Sequence, residues 1–169
     1  MNGSPTAIPL VRAEDAPLLV RRHFAGGDPG RLIAALAHVP ELLEAALPFI
    51  GVVYGPSALA ERLKELVVLR VSALGGCRYC TAAHETLAAQ AGLSDDERTA
   101  LRMRDAAAPP TFDARERAAF TFASNFDAHP ERSLEPLLAH FAAHEIVELG
   151  VLAGTTVFLN RFCTAMALA

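Results

Sequence analysis

A chain of 169 residues is the size of one ordinary domain and can bury a core without disulfides to hold it together, so a single domain is expected. Hydrophobic residues make up 52%, alanine is abundant and tryptophan is absent, a mix that favours packed helices over sheet. The net charge of −4, with no cluster of Lys and Arg, excludes a surface that tracks a phosphate backbone, and three cysteines, an odd number, exclude a secreted disulfide framework.

The start of the chain, Met1 to Pro9, has no basic segment followed by an apolar run and is interrupted by Pro5 and Pro9, so it does not read as a secretory signal. From there, apolar residues recur at three- and four-residue spacing, which predicts an all-α fold. The predicted helices run in order over Glu14 to Phe24, Arg31 to His38, Pro40 to Val52, Ala58 to Leu74, Cys77 to Ala91, Asp95 to Arg104, Ala114 to Phe126, Leu134 to Phe141 and Glu145 to Ala167. Two starts carry capping-box spacing, Ser94 with Glu97 and Asp113 with Glu116, and Gly92 is placed to end a helix in the left-handed conformation. Asp105 to Thr111, with Pro109 and Pro110, reads as a linker between two halves. The most apolar stretch, Ile146 to Leu159, contains Glu148 and is too short to span a bilayer, so a cytoplasmic protein with no membrane partner is expected.

Set against itself at an offset of 83 residues, the chain matches Glu65, Leu66, Val68 and Leu69 to Glu148, Leu149, Val151 and Leu152. The same offset matches Arg78, Cys80, Thr81 and Ala82 to Arg161, Cys163, Thr164 and Ala165. This is the pattern of a worn internal duplication, with an active copy at about 58–92 and a degenerate one at about 144–168. Chance matches between helices rich in Ala, Leu and Val are the alternative. Asn160 stands where Cys77 would be and Ala167 where His84 would be, so only the first copy holds a full reactive set. Cys163 then reads as a small buried hydrophobe.

That reactive set is Glu65, Cys77, Cys80 and His84, on two predicted helices separated by Gly75 and Gly76. If the helices fold back at the glycines, Glu65 and His84 differ in height by only about 3 Å at 1.5 Å of rise per residue, so acid and imidazole can meet. Cys77, Cys80 and His84 form one stripe, since residues three and four apart share a helix face. Cys77 lies at or near a helix N-terminus, where free N–H groups and the dipole favour a thiolate. Such a group suits thiol-disulfide or thiol-peroxide exchange, with His84 moving a proton to or from Cys80 and Glu65 orienting the ring. The spacing also predicts that Cys77 and Cys80 bridge reversibly while Cys163 stays a thiol.

The run from Lys64-Glu65-Leu66 through Gly75-Gly76-Cys77-Arg78-Tyr79-Cys80-Thr81-Ala82-Ala83-His84 resembles the signature of the alkyl hydroperoxidase D and carboxymuconolactone decarboxylase superfamily. His38-Val39-Pro40-Glu41-Leu42-Leu43 resembles the family's helix before the core, and Asn160-Arg161 its late helix. The resemblance implies a compact helical fold and assembly into a dimer, trimer or hexamer. It implies a thiol-dependent peroxidase with a peroxide substrate, an external dithiol or thiol protein as reductant, and no cofactor or metal beyond the redox-active Cys77–Cys80 disulfide. It also implies that Cys80 meets the peroxide and Cys77 resolves it, whereas the dipole argument favours Cys77 as the more acidic thiol. Tyr79 departs from the prototype, which carries histidine before the second cysteine; a phenol titrating near 10 cannot relay protons like imidazole, so Tyr79 is at most an accessory.

Four other readings compete. Two Cys and a His can supply zinc ligands, but on one stripe they spread over about 10 Å and no second pair completes the site. The lyase branch of the superfamily does not rely on a Cys pair. A protein disulfide reductase would use the pair without peroxide, and both cysteines could lie idle in a core helix. His23, His129 and His140 read as surface groups, His38 and His144 as helix-end groups, and Glu61 as a solvated charge one turn before Glu65.

Overall fold

The computed structural model describes residues 6–169, and the expectation about the chain's start falls in part on residues outside that range. Among the described residues there is no strand. The helices are α1 (Arg31–Leu36), α2 (Pro40–Tyr54), α3 (Glu61–Leu74), α4 (Arg78–Gln90), α5 (Asp95–Arg102), α6 (Ala114–Asn125), α7 (Pro130–Ser133) and α8 (Ala143–Ala165).

Both predicted capping boxes form. Ser94 Oγ accepts the Glu97 N–H while Glu97 accepts the Ser94 N–H, and Asp113 does the same with Glu116. Gly92 takes φ +92° beyond the end of α4.

Two predicted helices do not form as drawn. Glu14 to Phe24 breaks into 3-10 turns at Ala13–Asp15 and Arg21–Phe24, because Pro17 holds the preceding Ala16 in an extended conformation at ψ 126°. Leu134 to Phe141 is a single 3-10 turn, Glu135–Leu137, preceded by α7, with the Leu137 and Leu138 N–H groups bonding three residues back, to Leu134 O and Glu135 O. Elsewhere the ends shift by a few residues: α3 starts at Glu61 rather than Ala58, and α2 runs on to Tyr54 with Pro48 inside it.

α3 is the central element, packed by α4, α5, α6 and α8. Every residue from Leu63 to Ser72 is buried, so the helix has no wet face. Its aliphatic side chains meet Phe120 and Phe122 of α6 and Leu149 and Leu152 of α8 in the main core. Full burial of such a side chain is worth about 1.5–3 kcal/mol. The buried cations of α3 are each given polar partners, as burial requires. Lys64 donates to Gly55 O (2.6 Å) and Ser57 Oγ (2.8 Å) and lies 3.3 Å from Glu148 of α8. Arg70 donates to Ser124 Oγ and to the carbonyls of Leu101, Met103 and Arg104, tying down the end of α5.

α8 is 23 residues long, with the length and apolarity to cross a membrane, so the length of the apolar stretch alone does not decide its character. Here it packs on α2, α3 and α4 as a core helix.

Candidate active site

The turn between α3 and α4 is built by Gly75 and Gly76. Gly76 adopts φ +70°, the left-handed region that favours glycine. Gly75 allows a close approach: a Cβ there would stand 3.0 Å from Asn160 Nδ2 and 3.1 Å from Val71 O. Asn160 uses that proximity, donating to Val71 O (3.3 Å) and accepting from Ser72 Oγ (3.1 Å). α8 is thereby latched to the end of α3.

The chain then enters α4 with Cys77 as its N-cap, the Cys80 N–H donating to Cys77 Sγ at 3.2 Å. The helix-start placement expected for Cys77 is present, and one free N–H of the first turn is aimed at its sulfur. Cys77 and Cys80 are paired as a disulfide with Cα atoms 5.4 Å apart, and both are buried.

The fold-back brings the acid to the imidazole: His84 Nδ1 lies 2.9 Å from Glu65 Oε2. A carboxylate only accepts, so Nδ1 carries the proton and Nε2 is left to exchange one. Tyr54, at the end of α2, sets its ring 5.5 Å from that of His84. Its hydroxyl donates to Thr156 Oγ1 (2.8 Å), whose own proton goes to Leu152 O. Burial pushes the Tyr54 phenol up to about 12, so it remains a fixed donor.

These groups converge on a cavity of about 380 Å³ between α2, α3, α4 and α8. Cys80, Glu65 and His84 line it together with apolar Leu32, Ile50, Val68 and Leu87. Cys77 does not; buried as it is, it borders instead a separate groove lined by Gly76, Arg78, Glu85 and Arg102. The two cysteines of one disulfide therefore line different cavities.

Tyr79 takes no part in the acid-imidazole pair. It is half-buried, and its hydroxyl accepts the Leu32 N–H at 3.4 Å. Burial raises its pKa, against the pull of that backbone donor. Glu61 is exposed at the cavity rim.

Cys163 is buried as expected, and burial pushes its thiol up to about 11. It is not remote from the site, however. Its sulfur and those of Cys77 and Cys80 all lie within 4.8 Å of one another. The group able to hold a metal is thus Cys77, Cys80 and Cys163, and His84 does not belong to it.

Two of the other histidines find partners: His23 Nε2 meets Glu44 of α2 at 2.7 Å, and His38 Nε2 meets Pro9 O at 2.7 Å. Sequence reasoning missed Tyr54, Ser72 and Thr156, and had Asn160 only as the counterpart of Cys77 in the second copy and as part of a family resemblance. Tyr54 is one of only two tyrosines and precedes Gly55-Pro56, a helix-ending signal that places it beside a turn but not beside His84.

No curated protein matches the chain. The structure resembles a peroxidase-related protein from Silicibacter sp. TM1040, with a TM-score of 0.84 and 24% identity over 99% of this chain and 93% of that one. It also resembles the alkylhydroperoxidase AhpD core of a peroxidase-related protein from Ralstonia eutropha JMP134, with a TM-score of 0.82 and 19% identity over 99% and 93% of the two chains. The debrominase Bmp8 in complex with 2,3,4-tribromopyrrole shares the fold too, at a TM-score of 0.79 and 20% identity over 98% and 91%. The model of the carboxymuconolactone decarboxylase family matches residues 40–125, more than half of the chain, spanning every residue of the Glu65, Cys77, Cys80 and His84 set. The chain belongs to the carboxymuconolactone decarboxylase family and has the helical AhpD-like fold.

Proposed function

We propose that this protein is a thiol-dependent peroxidase of the alkylhydroperoxidase type. The observation that carries the reading is the split of the disulfide: Cys80 shares a cavity with the Glu65–His84 pair, while Cys77 borders a separate groove. A peroxide entering the cavity meets Cys80 and the proton relay together, while Cys163, also in the wall, is held as an unreactive thiol by burial.

In the reduced protein His84 takes the Cys80 proton, and the thiolate attacks the near oxygen of the peroxide. The O–O bond breaks, Cys80 becomes a sulfenic acid, and the departing alkoxide takes the proton back from His84. Cys77, its thiolate favoured by the Cys80 N–H, then attacks the Cys80 sulfur. Hydroxide leaves with a proton as water, and the disulfide remains. An external dithiol, or a thiol protein, restores the pair by two exchanges and is itself oxidised to a disulfide. Peroxide and dithiol become alcohol, water and disulfide, with no cofactor beyond the cysteine pair.

The cavity's aliphatic wall favours an organic hydroperoxide over hydrogen peroxide. This order of thiols follows cavity access rather than the dipole argument, since the disulfide partner on the substrate side is Cys80. The lyase reading has no use for the pair, and a disulfide reductase has no use for a largely apolar cavity of small-molecule size beside it.

The test is peroxide consumption by the purified protein with a dithiol as reductant. Loss of turnover after alkylation of the reduced pair is expected; undiminished turnover would sink the redox reading.

The protein is further proposed to act in the cytoplasm as a homo-oligomer. Val147, Val151 and Phe158 share one exposed face of α8, and Leu42 and Phe49 are exposed on α2, which packs beside it. A dimer, trimer or hexamer would cover these faces. A monomer mass by light scattering at micromolar concentration would contradict that.

A further inference from the structure

Cys163 has no part in the peroxide chemistry, yet α8 delivers it to the disulfide. We propose that the reduced protein binds one soft monovalent metal ion, of the copper(I) class, on the three sulfurs of Cys77, Cys80 and Cys163. Two come from the first turn of α4 and its cap, the third from the last turns of α8, and all three lie within 4.8 Å of one another.

The donor set decides the class of ion. It contains sulfur alone, and soft thiolate ligands select soft metals over the hard cations that carboxylates and carbonyls hold. Closed structural zinc sites take four ligands, and this group offers three, which suits a trigonal monovalent ion. One side of the shell is apolar as well. Ala35 and Leu168 are buried against the cysteines, with Leu10, Leu32, Tyr79, Phe162 and Met166 packed around them, so this side of the group offers no competing carboxylate or imidazole. The Cys80 N–H already directed at Cys77 Sγ offers partial positive charge to the resulting anionic cluster.

The geometry also makes binding conditional on redox state. With the Cys77–Cys80 bond formed, two of the three sulfurs have no charge to offer. An external dithiol delivers two electrons and two protons, becoming a disulfide itself, and leaves three thiols. The ion then displaces the thiol protons to solvent without changing its own oxidation state. Oxidation of the pair would release it. An occupied site would hold Cys77 and Cys80 away from peroxide, so metal binding and peroxide reduction exclude each other. The site shares two residues with the proposed peroxidase but does not depend on that activity.

The test is anaerobic competition for copper(I) between the phosphine-reduced full chain and a chromophoric copper(I) chelator. One equivalent is expected for the reduced protein, and none for the oxidised protein. Cys163→Ser should weaken binding by more than about 100-fold, beyond the range seen when only an outer partner of a metal ligand is lost. X-ray absorption at the copper edge of the wild type should count three sulfur neighbours, a measurement that needs no variant to fold. Unchanged affinity in Cys163→Ser, an imidazole nitrogen in the shell, or no copper withdrawn by protein whose three thiols titrate as free would each overturn the site. Peroxide consumption by the same metal-free preparation separates the two readings: copper binding without turnover upholds this site and sinks only the peroxidase, and turnover without copper binding does the reverse.

Discussion

The region of α3 and α4 and the region of α8 carry matching residues at an offset of 83, yet one folds as a hairpin and the other as an uninterrupted helix of 23 residues. The difference lies at Gly75 and Gly76, which face Phe158 and Leu159 in the alignment. Where the glycines stand, the chain reverses and Glu65 comes within 2.9 Å of His84. Where they are replaced, the helix continues and Glu148 instead reaches Lys64 of α3, 3.3 Å away. Asn160, which stands in place of Cys77, braces the glycine turn of the other region through Val71 and Ser72. A similar set of side chains becomes the proposed reactive site in one region and its support in the other, and the break in the helix makes the difference.

The sharpest break of this comparison is all or none. Oxidised protein mapped by peptide should show Cys77 linked to Cys80 and Cys163 still a thiol; Cys163 bridged to either would mean that α8 supplies a redox partner rather than support. Next in size is the relay. Glu65→Gln and His84→Ala should each slow peroxide consumption by about 10²-fold or more while the disulfide still forms. The double variant should be little worse than either single one, because the two groups act as a unit. Glu148→Gln, at the matched position, should leave the rate within about twofold, and equal losses at Glu65 and Glu148 would erase the distinction between the regions.

The open end of the hairpin is held by charge. Arg62 of α3 bonds Glu97 (2.9 Å) and Glu116 (2.6 Å). Burial raises the Glu97 pKa, but bonds from Arg62, Thr111 and the Ser94 N–H outweigh it and hold the carboxyl at about 2. A depressed carboxyl stabilises the fold above its ordinary value near 4.5 and loses that contribution as pH falls toward 2. Denaturant midpoints from pH 5 down to about 2 should therefore fall, by up to about 3 kcal/mol from this group. Glu97→Gln should flatten much of that slope; an unchanged slope would place the acid sensitivity elsewhere.

The smallest expected effect is at the turn itself. Gly75→Ala puts a methyl 3.0 Å from Asn160 Nδ2 and should cost about 1–3 kcal/mol by equilibrium unfolding, the usual range for overpacking. The paired variant Gly75→Ala with Asn160→Ala should recover part of it, and no recovery would show that the Val71 carbonyl, not α8, sets the requirement.

The helical class, both capping boxes, the Gly92 stop and the acid-imidazole meeting were all legible in the sequence, because each depends on residues close in the chain or on the fixed rise of a helix. Proline overruled periodicity at Pro17, where apolar spacing persists but the backbone cannot follow it. The residues needed for a thiol site were thus readable as a list, with Glu65, Cys77, Cys80 and His84 all on two neighbouring helices. Only the tertiary structure decided which cavity each cysteine lines, that Tyr54 and Thr156 enclose the imidazole, and that Cys163 stands beside the pair. Those contacts join helices more than 80 residues apart in the chain, as in the Ser72–Asn160 and Tyr54–Thr156 bonds, and no local spacing rule carries the angle at which α8 crosses α3 and α4.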